Sequence, residues 1–187
     1  MSTAPPNTAV PIEPWQPAPF AALLSYLVPG LGQVVQGRVG KGFLFMVSLL
    51  GMFFLGQAMG QWRNVYLPEP DEMHRLENPV RRLVNATLQR WHYAGQFFIG
   101  VAAWPALWQF FDMPMPDSSF WHDFQRGPHG WAEEQEMNQF VVNSDKTPDL
   151  GWVYTVIAGM LNILVIYDAF AGPAFLVQPG QPQGVKP

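Results

Sequence analysis

Apolar residues along this chain gather into four runs, Phe20 to Val35, Gly42 to Gly60, Tyr93 to Phe111 and Gly151 to Ala171, separated by stretches rich in proline and charge. The second run is almost uninterrupted from Phe43 to Leu55. About 18 helical residues extend ~27 Å, close to the thickness of bilayer hydrocarbon, so this run reads as a membrane-spanning helix. The first run is short and broken by Pro29, Gly30 and Gly32, which predicts a kinked span, with a re-entrant hairpin packed on its neighbour as the alternative.

The third run reads as the far half of a longer helix that begins at Pro79, with Asn78 as its cap. From there Val80, Leu83, Val84, Thr87, Leu88 and Trp91 share one face and Arg81, Arg82, Asn85 and Gln89 the other. This is the pattern of an interfacial helix over residues 79–92, whose basic face suits anionic headgroups. The fourth run is preceded by Thr147, Pro148 and Asp149, a capping residue, a first-turn proline and an acidic first turn. It should stop at Gly172 and Pro173.

Between the last two runs, residues 112–150 carry eight acidic side chains against Arg126 and Lys146 and are punctuated by four prolines. They predict a solvent-facing loop with a short helix over Trp131 to Val142, and with Phe120, Trp121, Phe124 and Trp131 capping the bundle. Residues 1–19 and 178–187 are Pro-rich and read as disordered tails. The first tail lacks the basic region of a secretory signal, so the first apolar run is expected to be retained. The expectation is one all-α membrane domain over residues 20–177, a bundle of about four transmembrane helices.

Composition sharpens this picture. Only 13% of residues are charged against 49% hydrophobic, too little charge for an ordinary water-soluble surface. The absence of cysteine excludes disulfides, thiolate metal sites and cysteine nucleophiles. With a net charge of -4 and scattered basic residues there is no nucleic-acid footprint. Arg63, Arg75, Arg81, Arg82 and Arg90 bias the segment between the second and third runs toward the cytoplasm. Four crossings then place both termini in the cytoplasm of a bacterial inner membrane, with Arg38 and Lys41 against the rule.

The densest local signal is Pro29-Gly-Leu-Gly-Gln33 followed by Gly37, Gly40 and Gly42, where glycines permit tight turning and close helix approach. Neither a preceding strand nor a suitably placed lysine supports phosphate binding there. Asn162, in the middle of the fourth run near Ala158 and Gly159, needs partners in hydrocarbon and reads as interhelical glue. Asp168 ends that run, where a carboxylate opposes the helix dipole and calls for a cation. Arg63, Arg90 and His92 are expected on its side as a structural ion pair. His74, His92, His122 and His129 show no metal-ligand spacing, and no nucleophile context surrounds Ser118 and Ser119, so neither catalytic residues, a metal nor a cofactor is expected.

Ala21 to Gly56, with its Pro-Gly-Leu-Gly-Gln turn, Gly37, Gly42 and a following apolar helix, resembles the first part of the bacterial two-transmembrane-helix domain type. The stretches Ala158 to Asn162 and Asp168 to Pro173 are similar to uncharacterised bacterial multi-pass proteins sharing the Pro-Gly-x-Gly-Gln opening. The resemblance implies a small helical membrane module and brings no catalytic residues. The expected function is a non-enzymatic structural or accessory subunit that packs with other membrane proteins or with itself. The alternative is a small transporter or channel subunit with Gln33 and Asn162 on a polar path. A membrane enzyme with a site around Arg63, His92 and Asp168 is the third reading.

Overall fold

The computed structural model describes residues 17–68, 78–114, 118, 121, 124–128 and 130–172, and among these there is no strand. The frame is a pair of long helices, α3 (Val39–Met59) and the last helix, designated α8 (Thr147–Ala171). Both are long and apolar enough to cross a membrane. At 1.5 Å per residue they extend about 31 and about 37 Å. They run antiparallel: Gly56 meets Gly151 at one end, and Lys41 bonds Asp168 at the other. A methyl group on Gly56 would collide with the Gly151 carbonyl and with Thr155, so the small residues set how closely the helices approach.

Two shorter hairpins pack on this pair. The first joins α1 (Pro19–Leu27) to α2 (Leu31–Val35). Helix α1 starts beside the end of α8, where Ala18 N–H donates to Phe170 O at 2.9 Å, and descends to the level of Asn162. The chain reverses at Gly30, whose φ of +85° favours glycine, and α2 climbs back toward Asp168. Gly32 lies against the Ala21 carbonyl and Ser25 Oγ, and Gly42 of α3 against Gly30. The run from Phe20 to Val35 is therefore a helical hairpin rather than the expected kinked span. Nine residues in α1 reach only about 13 Å.

The second hairpin enters from the opposite end. Helix α5 (His92–Phe97) runs alongside α8, with His92 against Trp152, Gly95 against Gly159 and the Phe98 carbonyl at Asn162. Gly100, at φ +88°, reverses the chain through a 3-10 turn at Val101–Ala103 into α6 (Trp104–Phe110). Helix α6 returns to α4 (Pro79–Gln89), where the Arg82 guanidinium lies over the Phe110 ring. The expected third span from Tyr93 to Phe111 is thus broken in the middle, and the longer helix expected from Pro79 breaks at Arg90, which leaves helical geometry with φ -122° and ψ 66°. Asn78 caps α4 by accepting from Val80 N–H at 3.0 Å.

In the 112–150 segment, α7 (Gly130–Asn143) precedes α8. Phe124 is buried and packs near Trp62 and Trp121, whereas Trp131 is exposed rather than capping the bundle. Phe120 lies outside the described residues. Helix α8 begins at Thr147 with Pro148 in its first turn; Thr147 is inside the helix and not the expected cap, a position that Lys146 takes without a side-chain hydrogen bond.

Candidate functional site

The two hairpins meet at Asn162. Its Nδ2 donates to Ser25 O at 3.1 Å and to Phe98 O at 2.8 Å, one carbonyl from the last turn of α1 and one from the end of α5. Carbonyls at a helix end lack intrahelical donors, and in apolar surroundings a donor must come from a side chain. Asn162 is fully buried and supplies one to each tip. Beside it, Gly100 is pressed against the Tyr26 and Leu27 carbonyls, leaving no space for a Cβ.

Other amides act likewise. Gln96 Nε2 donates to Thr155 Oγ1 at 2.8 Å and to Asn64 O at 3.3 Å, and Asn64 Nδ2 donates to Gly56 O at 2.7 Å, tying α5 to both long helices. Buried Gln125 donates to Ala102 O at 2.6 Å and accepts from Ala106 N–H at 3.3 Å, which clasps the return of the second hairpin. Gln33 accepts from Ser25 Oγ at 2.9 Å and donates to Val165 O at 2.8 Å and Asp168 Oδ2 at 3.1 Å.

Asp168 has its cations, but not the expected ones. Arg38 Nη2 and Lys41 Nζ reach its two carboxylate oxygens at 2.7 and 2.6 Å. Gln36 Nε2 donates to Ala169 O at 2.7 Å, and with Ala18 N–H on Phe170 O the last carbonyls of α8 are capped by the N-terminal hairpin and its link to α3. Arg63, Arg90 and His92 lie at the opposite end, around Trp152, because the third run turns back instead of crossing. The basic segment containing Arg63 and Arg90 is consequently at the other end of the long pair from the ends of the described chain.

That opposite end holds a cleft of 900 Å³ between the end of α3, the loop after it, α7 and the start of α8. Trp62, Arg63, Tyr66, Arg90, Glu136, Asp149 and Trp152 line it. Arg90 stacks 3.5 Å over the Tyr66 ring and donates through Nε to His92 Nε2 at 2.9 Å. Burial lowers the Arg90 pKa to about 10, so it stays cationic at neutral pH. Burial first, then the neighbouring Arg90 charge, lowers the His92 pKa to about 4, so the imidazole is neutral and accepts.

Of the remaining glycines singled out by sequence, Gly37 and Gly40 face open space, while Pro29 is buried at the turn of the first hairpin. His74, His122 and His129 lie outside the described residues. Among the described residues no group of His, Asp and Glu is placed to hold a metal ion. Sequence reasoning missed Ser25, Asn64, Gln96 and Gln125 and took Arg38 and Lys41 for a topological exception. The available signal was the neutral amides embedded in or beside the apolar runs.

Architecture and site together define an all-helical protein in which two antiparallel helices, each able to cross a membrane, are braced by two broken hairpins that meet on one asparagine. The chain belongs to a family described as a family of unknown function (DUF6677), whose model matches residues 20–182. Comparison with curated proteins and with solved structures finds no match.

Two outcomes test this site. Asn162→Leu leaves the Ser25 and Phe98 carbonyls without their donor, at a cost of about 1–3 kcal/mol. A thermal unfolding midpoint several degrees lower in detergent is expected, and an unchanged midpoint would show that the junction does not depend on Asn162. For His92, an unfolded imidazole takes up its proton near 6.5 and the folded one only near 4, so the contribution is intact above 6.5 and lost as pH falls toward 4. The wild-type midpoint should fall across that window and that of His92→Gln should fall less; parallel curves would exclude His92 as the source.

Proposed function

We propose that the protein is a non-enzymatic component of the bacterial cytoplasmic membrane that packs with other membrane proteins or with a second copy of itself. The observation that carries this reading is the exposure of its most apolar elements. In the most apolar stretches of α3 and α8 only 28% and 33% of residues are buried. An apolar helix at the centre of a soluble protein would be covered; here Phe43, Leu44, Val47 and Leu55 on α3 and Met160 and Leu164 on α8 face outward. Such faces require lipid or another helix.

Two further features support it. Asn162 and Asp168 of α8, with Gln33 of α2, are engaged in holding hairpins and helix ends. On α4 and just beyond it, Val80, Val84, Leu88 and Trp91 form a narrow exposed stripe, suited to the bilayer surface. On this reading the Pro29-to-Gly42 turn belongs to a small helical membrane module, and residues 60–146 are inserted before its last helix. The transporter alternative loses ground because Gln33 and Asn162 are fully buried and do not line the cleft.

Two crossings separate the ends of the described chain from the basic segment containing Arg63, Arg81, Arg82 and Arg90. The excess of arginine there over Arg38 and Lys41 assigns the rim carrying Arg63, Arg90 and α7 to the cytoplasm; the basic segment keeps the side that four crossings gave it, while the ends of the described chain and α7 change sides. Because the chain has no cysteine, single-cysteine labelling tests this directly. A membrane-impermeant maleimide should modify Val35→Cys in intact cells and Glu134→Cys only after lysis; labelling of both from one side would require a further crossing.

The functional reading is tested by purifying the tagged protein, at endogenous expression, in native lipid particles and identifying what stays bound by mass spectrometry. A membrane partner or second copy at fixed stoichiometry is expected. Recovery as a lone monomer would overturn the packing role, and recovery in the soluble fraction would overturn the membrane assignment.

A further inference from the structure

The cleft at the α3–α8 rim is lined by side chains of both charges. Arg90 is held by Tyr66 and His92, and its Nη1 is buried with no hydrogen-bond partner among the described residues. A guanidinium with an unused, desolvated N–H is matched by an oxyanion, phosphate above all, which it can bind in a charge-assisted geometry. Arg63 lines the same cleft. The carboxylates of Glu136 on α7 and Asp149 in the first turn of α8 line it as well. A simple anion would meet repulsion there, and a simple cation would meet Arg90. Trp62, Tyr66 and Trp152 add apolar and π-faced surface to the lining, favourable to an ammonium group. The volume of 900 Å³ is within the range of ligand-holding clefts, about 300–1,000 Å³.

We propose that this cleft binds a zwitterionic phosphate ester, its phosphate on Arg90 and its ammonium toward Glu136 and Asp149, as in a phosphoethanolamine headgroup. The position favours a lipid source and rests on the membrane reading above: the ends of α3 and α8 would bring the cleft to headgroup level, with exposed Leu55 on the adjoining turns of α3 available to an acyl chain. A free phosphoethanolamine ester offers the same chemistry without the chains.

The test is native mass spectrometry of the full chain from detergent, with phosphatidylethanolamine, phosphatidylglycerol and soluble phosphoethanolamine titrated separately. One equivalent of phosphatidylethanolamine should bind in preference to phosphatidylglycerol, which has the phosphate but no ammonium. Loss of the charge-assisted pair in Arg90→Gln should weaken binding by about ten-fold or more. Because Arg90 is partly buried and its substitution could disturb the fold, the second variant is Glu136→Lys, at an exposed position on α7. It should retain the wild-type unfolding midpoint and shift preference toward phosphatidylglycerol. Binding of soluble phosphoethanolamine with no preference for the lipid would support the site with a free ester as its source. This arm remains informative even if the protein proves not to be membrane-bound, so failure of the membrane reading and failure of the cleft are separable. Equal binding of both lipids by wild type, or unchanged selectivity in Glu136→Lys, would overturn the proposal.

Discussion

A helix that breaks among apolar side chains exposes carbonyls that nothing around it can satisfy, and this fold contains two such breaks facing each other. Everything else follows from how those carbonyls find donors. Water is the usual answer at a protein surface, but the tips of α1 and α5 lie against the middle of α8. Asn162 answers both with one side chain. A neutral amide suits the position because an ammonium or guanidinium would carry a far larger desolvation cost for the same hydrogen bonds. Gln96 and Gln125 repeat the solution at the Asn64 and Ala102 carbonyls outside the long helices, and Gln33 reaches the Val165 carbonyl within α8, so the interior polarity is mostly uncharged and directed at backbone.

Charge appears where the long helices end. Asp168 sits in the last turn of α8, where the dipole disfavours it, and Arg38 and Lys41 compensate from the start of α3. Their side chains are partly exposed, so the pair itself adds little to stability in water. Its larger effect is registry. Arg38, Lys41 and Gln36 together hold the end of α8 against the start of α3, while Gly56 and Gly151 bring the opposite ends into contact.

The parts of this architecture legible in sequence were those governed by local pattern. The apolar run from Gly42 to Gly60, the Pro148 first turn of α8 and the Asn78 cap each announce themselves within a few residues, whereas at Pro29 and Gly30 the break was legible as a kink and not as a reversal. The break in the third run did not: Gly100 and Pro105 sit among aromatics and alanines, and apolar composition is the same whether a segment crosses a membrane or turns back inside it. That misreading propagated. One crossing too many put Asp168 beside Arg63 and Arg90, when its cations lay 127 and 130 residues upstream at Lys41 and Arg38. The cleft was similarly invisible, because Trp62, Arg90, Glu136 and Trp152 come from four separate segments.

The separation between partners also sets an order of events. Ser25 waits for a residue 137 positions later, and Gln33 for one 132 positions later. During synthesis the first hairpin therefore exists for most of the chain's production without the donor its tip needs. It can acquire its final place only when the last helix arrives. The two hairpins, made far apart in time, are secured together by the same residue, and a ribosome halted before α8 would leave both tips without their donor.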